Sequence, residues 1–292
     1  MKRYFLINPI AGNGKALDYE KKIEIACQNM HISENLDYQI IISKSEEHLQ
    51  DFANALALKA EEKVIYSVGG DGTNFLVANA VMKANSNTNV SFIPGGSGND
   101  LCRSLEQRPE LEYMDLGQVN DLFFTNVLSF GLDVEALKIA EERLRNGKSA
   151  TNAYNTGIIQ AILKNKTTLL STKDKSQEVT LIAIANGKYY GNGKPIAPFA
   201  RLDDGFFDVI TVNKLPLPLL LYELARLIKR KHLNDKRFVQ SALKNKFRIH
   251  SEQNIHCNID GQMIQGNTFD IQIKSKALKL LSRTKDPLIK QL

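Results

Sequence analysis

Cysteine is scarce in this 292-residue chain: Cys27, Cys102 and Cys257 are odd in number, widely spaced and never arranged as Cys-x-x-Cys. That excludes a disulfide framework and a thiolate zinc site, and it fits a reducing cytosol. Long apolar runs are missing too. The longest, Leu215 to Leu221, carries two prolines and soon gives way to Lys229-Arg230-Lys231, far short of the roughly 20 apolar residues of a membrane span. The opening segment, Met1 to Pro9, turns polar too quickly for a signal peptide and reads as a first strand. The five histidines show no metal-ligand spacing, and His250 and His256 read as strand side chains. Internal repeats and low-complexity tracts are absent. The common nucleotide templates also fail. Around Gly14-Lys15, Pro9 stands where a P-loop needs its first glycine and Ala16 where it needs Ser or Thr. A G-x-G-x-x-G run begun at Gly12 or Gly70 ends on Leu17 or Phe75. Neither a Walker ATPase nor an ordinary dinucleotide oxidoreductase is supported.

With 43% hydrophobic and 24% charged residues, the chain has the composition of an ordinary globular protein, and its length favours two domains over one. A net charge of +6 favours anionic partners, without separating nucleotide, acidic lipid headgroup and nucleic acid. The first third alternates strand-like and helix-like segments: Arg3 to Ile7, Lys15 to Met30, Tyr38 to Ile42, Glu46 to Ala60, Val64 to Val68, Asn74 to Lys83 and Val90 to Ile93. Such alternation predicts βαβ units around a parallel sheet, with ligands at the strand C-termini. Three loops at that edge are glycine-rich: Asn8 to Gly14, Gly69 to Thr73 and Pro94 to Asp100. They are expected to converge on one site.

Gly69-Gly70-Asp71-Gly72-Thr73 is the most informative of the three. Its glycines permit a sharp turn and a close approach to a bound group, and the free amides of a helix starting near Thr73 suit an anion. A carboxylate beside an anion is unfavourable unless a metal or a proton transfer employs it, although Asp-Gly is also ordinary turn chemistry. Beyond Asp115 the pattern becomes strand-rich: Phe123 to Phe130, Thr167 to Ser171, Glu178 to Ala185, Phe207 to Val212, Lys246 to His250, Ile255 to Ile259 and Thr268 to Ile273. The cluster Thr172 to Ser176 predicts a hairpin turn. The reading is an α/β domain over residues 1–120 and a mainly antiparallel β-sandwich domain over residues 121–280. The tail, 280–292, is free to return to the first, and the active site lies in the cleft between domains.

Asn8-Pro9 with Gly12, Gly69 to Thr73, and Gly96-Ser97-Gly98-Asn99-Asp100 together resemble the bacterial diacylglycerol kinase and lipid kinase family, related to sphingosine kinases and more distantly to NAD kinases. The resemblance continues through Asn186-Gly187-Lys188-Tyr189-Tyr190-Gly191, Ala197-Pro198 and Leu202-Asp203-Asp204-Gly205, and ends near Asp260-Gly261. It implies ATP contacts from Asn8, Pro9, Ile10, Ala11 and Gly12, from Gly69 to Thr73, and from Gly96, Ser97, Asn99 and Asp100. Ser97 stands for the usual threonine, a mild change because both offer a hydroxyl. Ser43 falls near a nucleotide-contacting hydroxyl of the family, and Ser45 is its alternative. The resemblance also implies that Asp71 is the base acting on a lipid hydroxyl or part of the network around a catalytic Mg²⁺. Asp204 would ligate a structural Mg²⁺ together with the main-chain oxygens of Arg201 and Phe206.

Two departures matter. Gln262 occupies a position where the family usually has a glutamate proton acceptor, and a neutral amide cannot take a proton. Either Asp71 or Asp260 is then the base, or the glutamate's task is a hydrogen bond that Gln262 still makes, or this copy is weakened. Asn74-Phe75 replaces the common x-Asn-Glu, removing another carboxylate. The implied function is an ATP- and Mg²⁺-dependent lipid kinase acting on diacylglycerol or a related lipid. A low-turnover nucleotide- or lipid-binding regulator and an NAD kinase are the alternatives. The protein is expected in the cytoplasm, with contact at the inner membrane surface and homodimerisation left open and no nucleic-acid partner. Leu217 to Lys231 reads as a helix packed on its own core, with a membrane-surface helix as the competing reading.

Overall fold

The computed structural model describes residues 1–148, 150–172 and 176–292. Its first part alternates β1 (Lys2–Ile7), α1 (Asp18–Asn29), β2 (Tyr38–Ile42), α2 (Glu46–Leu58), β3 (Lys63–Gly69), α3 (Asp71–Lys83), β4 (Asn89–Pro94) and α4 (Asp100–Glu106). The four strands form one parallel sheet in the order β2-β1-β3-β4. β3 is buried along its whole length, as a central strand covered on both faces must be. In α2, Leu49, Ala53, Leu56 and Ala57 bury at helical spacing, and the Ser45 hydroxyl caps its start by accepting the His48 amide at 3.1 Å. Leu281, near the chain's end, donates its N–H to the Val90 carbonyl at 2.9 Å, and Leu288 buries among Phe5 and Tyr66.

The second part contains β5 (Tyr113–Val119), β6 (Leu122–Phe124), β7 (Val127–Gly131), α5 (Leu132–Arg145), α6 (Ala150–Lys164), β8 (Thr168–Ser171), β9 (Ser176–Ala185), β10 (Phe207–Asn213), α7 (Leu217–Ile228), β11 (Val239–Lys244), β12 (Lys246–Ile259) and β13 (Gln262–Lys279). Among the described residues these strands make one antiparallel sheet, β11-β10-β9-β7-β12-β13-β5-β6, with β8 on β9 and β12. Ser171 lies opposite Ser176, as a hairpin requires; residues 173–175 of its expected turn lie outside the described residues. The expected strand Phe123 to Phe130 is split into β6 and β7, because the Asp260 carboxylate takes the amides of Thr125, Asn126 and Val127 out of the ladder. Lys246 to His250 and Ile255 to Ile259 are joined in β12, with a register shift between them. β5, β11, α5 and α6 lie outside the strands and helices read from the sequence.

α3 joins the two parts. Every residue from Thr73 to Val81 is buried, and one apolar core runs through Phe75, Val77 and Ala80 to Phe124, Phe269 and Ile271 of the second sheet. The helix is walled by β3 on one side and by β6 and β13 on the other. A rigid element therefore fixes the cleft between the sheets. No helix of the described residues is long and apolar enough to cross a membrane.

Candidate active site

At the C-terminal edge of the parallel sheet, the three glycine loops pack against one another so closely that side chains would not fit. A Cβ on Gly12 would lie 2.5 Å from the Gly95 carbonyl oxygen, and one on Gly96 would lie 2.3 Å from the Gly70 Cα. Gly95 N–H donates to the Gly69 carbonyl at 2.9 Å, and Asn8 Nδ2 donates to Thr73 Oγ1 at 3.0 Å. The expected convergence is thus built by backbone contact. Asn99, at φ 55°, closes its own loop by bonding the Gly96 N–H and carbonyl at 2.8 and 2.7 Å. Its amide is turned away from the cleft, whereas Ser97 faces it. Gly69 likewise lies beneath the wall, where a Cβ would strike Thr73 Oγ1 at 2.4 Å.

These loops line a cavity of about 490 Å³ that also takes Ser43 to Glu46, Asn126, Leu137, Ala140, Leu144, Asn155, Tyr190 to Asn192, Asn258 and Asp260 to Gln262 from the rest of the chain. Both sheets contribute walls. Leu76, Leu137, Ala140 and Leu144 give an apolar section, while the loops and asparagines give a polar one. Ser43 and Ser45 both line it; the Ser45 hydroxyl is committed to the α2 cap, leaving Ser43 as the uncommitted member of the pair. Among the described lining residues Lys44 is the lone cation, against Glu46, Asp71, Asp100 and Asp260.

Asp71 sits differently from expectation. The helix starts at Asp71, not near Thr73, with Gly70 as its N-cap. The first intrahelical bond is Asn74 N–H to the Gly70 carbonyl, at 3.1 Å, so the amides of Asp71, Gly72 and Thr73 stand free of the ladder on the cavity wall. The carboxylate reaches across to a second helix, accepting the α4 amides of Asp100 and Leu101, both at 3.1 Å. Burial, then the neighbouring Asp100 carboxylate, push the Asp71 carboxyl up to about 7, against the pull of those two amides. Asp100 itself ties the third loop to the second part, accepting Gly193 N–H at 2.6 Å and Asn192 N–H at 3.1 Å; burial raises its carboxyl too.

Asp260 is saturated. At φ 48° it turns its carboxylate onto the Thr125 amide and hydroxyl at 2.6 and 2.8 Å and the Asn126 and Val127 amides at 3.0 and 2.9 Å. Two residues on, Gln262 Nε2 donates to Glu46 Oε1 at 3.0 Å across the cleft. A carboxylate therefore stands beside the amide. Phe75 buries in the core and does not line the cavity. Deeper in, Asp133 Oδ2 accepts Tyr190 OH at 2.5 Å, Asn258 Nδ2 at 3.1 Å and the Ser129 hydroxyl, a network outside the sequence reading except for Tyr190 in its quoted block. Glu46 and Lys44 were legible only as neighbours of Ser43.

Asp204 occupies the turn before β10, where its Oδ1 accepts the Phe206 amide at 3.1 Å. Burial, and after it the carboxylates of Asp115 and Asp203, raise its carboxyl against the Phe206 amide and Arg201. No group of three His, Cys, Asp or Glu side chains among the described residues is arranged to hold a metal. A cation at this turn would need main-chain oxygens. Arg108 grips the adjacent Asp203 with two bonds, of 3.1 and 2.8 Å, and Arg201 Nε reaches the same carboxylate at 3.4 Å.

Comparison with known proteins agrees with this geometry. Residues 2–122 match the diacylglycerol kinase catalytic domain, and residues 126–282 match the YegS C-terminal NAD kinase beta sandwich-like domain. A probable lipid kinase YegS-like protein of Pseudomonas putida is 28% identical over 249 residues, covering 80% of this chain and 82% of its own. One from Alcanivorax borkumensis is 27% identical over 247 residues, covering 78% and 81%. The crystal structure of a diacylglycerol kinase from Bacillus anthracis superposes with a TM-score of 0.69 over 96% of both chains at 19% identity, a likeness of fold.

Proposed function

This chain belongs to the bacterial diacylglycerol kinase and lipid kinase family, and from that premise we propose that it transfers the γ-phosphoryl group of ATP to a hydroxyl of diacylglycerol or a related lipid. One observation carries the proposal: a carboxyl held near 7 stands on the cavity wall where the three glycine loops meet, a value suited to a general base at neutral pH. ATP lies over Asn8 to Gly12, Gly70 to Thr73, Gly96 and Ser97, with its phosphates on the free amides that begin α3. Ser43 and Lys44 contact it from the β2 edge. The lipid hydroxyl attacks the γ-phosphorus, its proton passes to Asp71, and ADP leaves.

A lone lysine facing four carboxylates leaves a triphosphate's charge unopposed, so the donor set fits Mg²⁺, which would offset the charge of the transferring group. Glu46 would hold it with phosphate oxygens and water. Asp204, with the carbonyls of Arg201 and Phe206, would hold a structural Mg²⁺ at the second site. Gln262 positions and Asp260 holds the turn, since four donors leave its carboxylate no vacancy for a proton. The apolar section formed by Leu137, Ala140 and Leu144 suits an acyl chain.

Purified protein incubated with labelled MgATP and a lipid panel should yield a labelled phospholipid. No label from any lipid, with nucleotide bound, would favour the low-turnover regulator, and label on NAD would favour an NAD kinase.

A further inference from the structure

α7 is apolar nearly all round. Leu220 is buried, and Leu224 and Leu227 pack against Ile210, Val212 and Val239, so the helix does rest on its own core. Its opposite face nevertheless leaves Leu221, Tyr222 and Ile228 50%, 51% and 71% exposed. A helix apolar on both faces is ordinarily covered on both. α6 touches α7 and itself exposes Ile159 and Leu163.

The helix ends in a Schellman motif: Arg230 N–H donates to the Leu227 carbonyl and Lys231 N–H to the Arg226 carbonyl, both at 2.9 Å. The left-handed residue of that motif, which favours glycine, is Arg230 at φ 57°. A long cationic side chain thus stands where it strains the backbone. Lys229, Arg230 and Lys231 are all exposed, and among the described residues none forms an ion pair with a carboxylate. A second copy of the chain is a poor cover. Antiparallel pairing would set these cations against a first helical turn with no acidic residue.

We propose that this face docks on an anionic lipid bilayer, with Leu221, Tyr222 and Ile228 at the acyl boundary and Lys229, Arg230 and Lys231 on headgroup phosphates. The inference goes beyond the kinase reading and is tested without ATP or turnover.

The test is sedimentation with vesicles of phosphatidylcholine containing about 30 mol% phosphatidylglycerol, a composition giving a strongly negative surface, or of phosphatidylcholine alone. The protein should bind the anionic vesicles, less so at high salt. Replacing Lys229, Arg230 and Lys231 together by Gln should weaken binding about a hundredfold, from about fivefold per cation, and L221S/I228S should weaken it too. Arg230→Gly separates surface from scaffold: it should raise Tm by relieving the left-handed strain, yet weaken vesicle binding about fivefold. Equal binding to neutral vesicles, an unchanged triple variant, or a concentration-dependent dimer abolished by Ile228→Ser would each overturn the proposal.

Discussion

Replacing Asp71 by Asn exchanges one oxygen for an amide group, and its effects on folding and on phosphoryl transfer should part with pH. The folded carboxyl is raised from 3.8 to about 7 by burial and Asp100, a rise equivalent to about 4 kcal/mol, of which solvent in the cavity screens part, leaving about 2–4 kcal/mol. The folded protein holds this proton more tightly than the unfolded chain. Its stabilising contribution is therefore complete below about pH 4 and lost as pH rises through about 7. The introduced amide would not ionise, so the variant escapes that loss, but its single oxygen can accept only one of the two α4 amides and leaves the other unmet at a cost of about 1–3 kcal/mol. The variant should be the less stable protein at pH 4 and match or exceed the parent at pH 8. At pH 8, with folding equal, kcat for labelled phosphate transfer should fall by about 10²–10⁴. Thermal denaturation across pH 4 to 8, paired with the transfer assay, reads both. Transfer that survives removes Asp71 as the base, and a stability difference that stays flat with pH refutes the raised carboxyl.

Gln262→Glu would put a carboxylate where the Gln262 amide now lies 3.0 Å from Glu46, and two like charges so close resist joint ionisation. No gain in kcat is expected at pH 7; a large gain from this change would mark a weakened kinase. In Gly96→Ala the new Cβ meets backbone 2.3 Å away at Gly70, so the loops must separate, with about 1–3 kcal/mol lost in denaturant unfolding and ATP affinity reduced in equilibrium binding. ATP affinity equal to the parent's would show that loop contact does not shape the nucleotide site. Asp260→Asn offers one acceptor oxygen to four donors and should cost about 3 kcal/mol or more in unfolding free energy, lowering activity only in step with folding. Full stability with activity abolished would instead make Asp260 the base.

Local chemistry made much of this protein readable in its residues. The βαβ alternation from Arg3 to Ile93 follows from hydrophobic period and turn residues alone, and it led to β1 through β4 in one parallel sheet. Glycine at positions 12, 69, 70 and 96 announced close backbone approach, because no other residue leaves that space. α7 was legible from its leucine spacing and begins at Leu217 as read, but it stops at Ile228, before the three cations that the reading had placed inside it. Other features depend on partners far along the chain. The break between β6 and β7 is made by a carboxylate 133 to 135 residues away, so Phe123 to Phe130 read as one strand. Asp71 caps a helix other than its own, and its raised carboxyl comes from burial and from Asp100, neither visible in a one-dimensional pattern. Glu46 carried no motif, yet folding sets it on Gln262 across 216 positions. Sequence by itself determined which N-terminal segments become strands and helices and where backbone comes close, since these are short-range consequences of side-chain size and period; the tertiary structure alone decided how the strands pair, which carboxylates are saturated and which remain available, because pairing, desolvation and hydrogen-bond supply are set by neighbours that only the fold assembles.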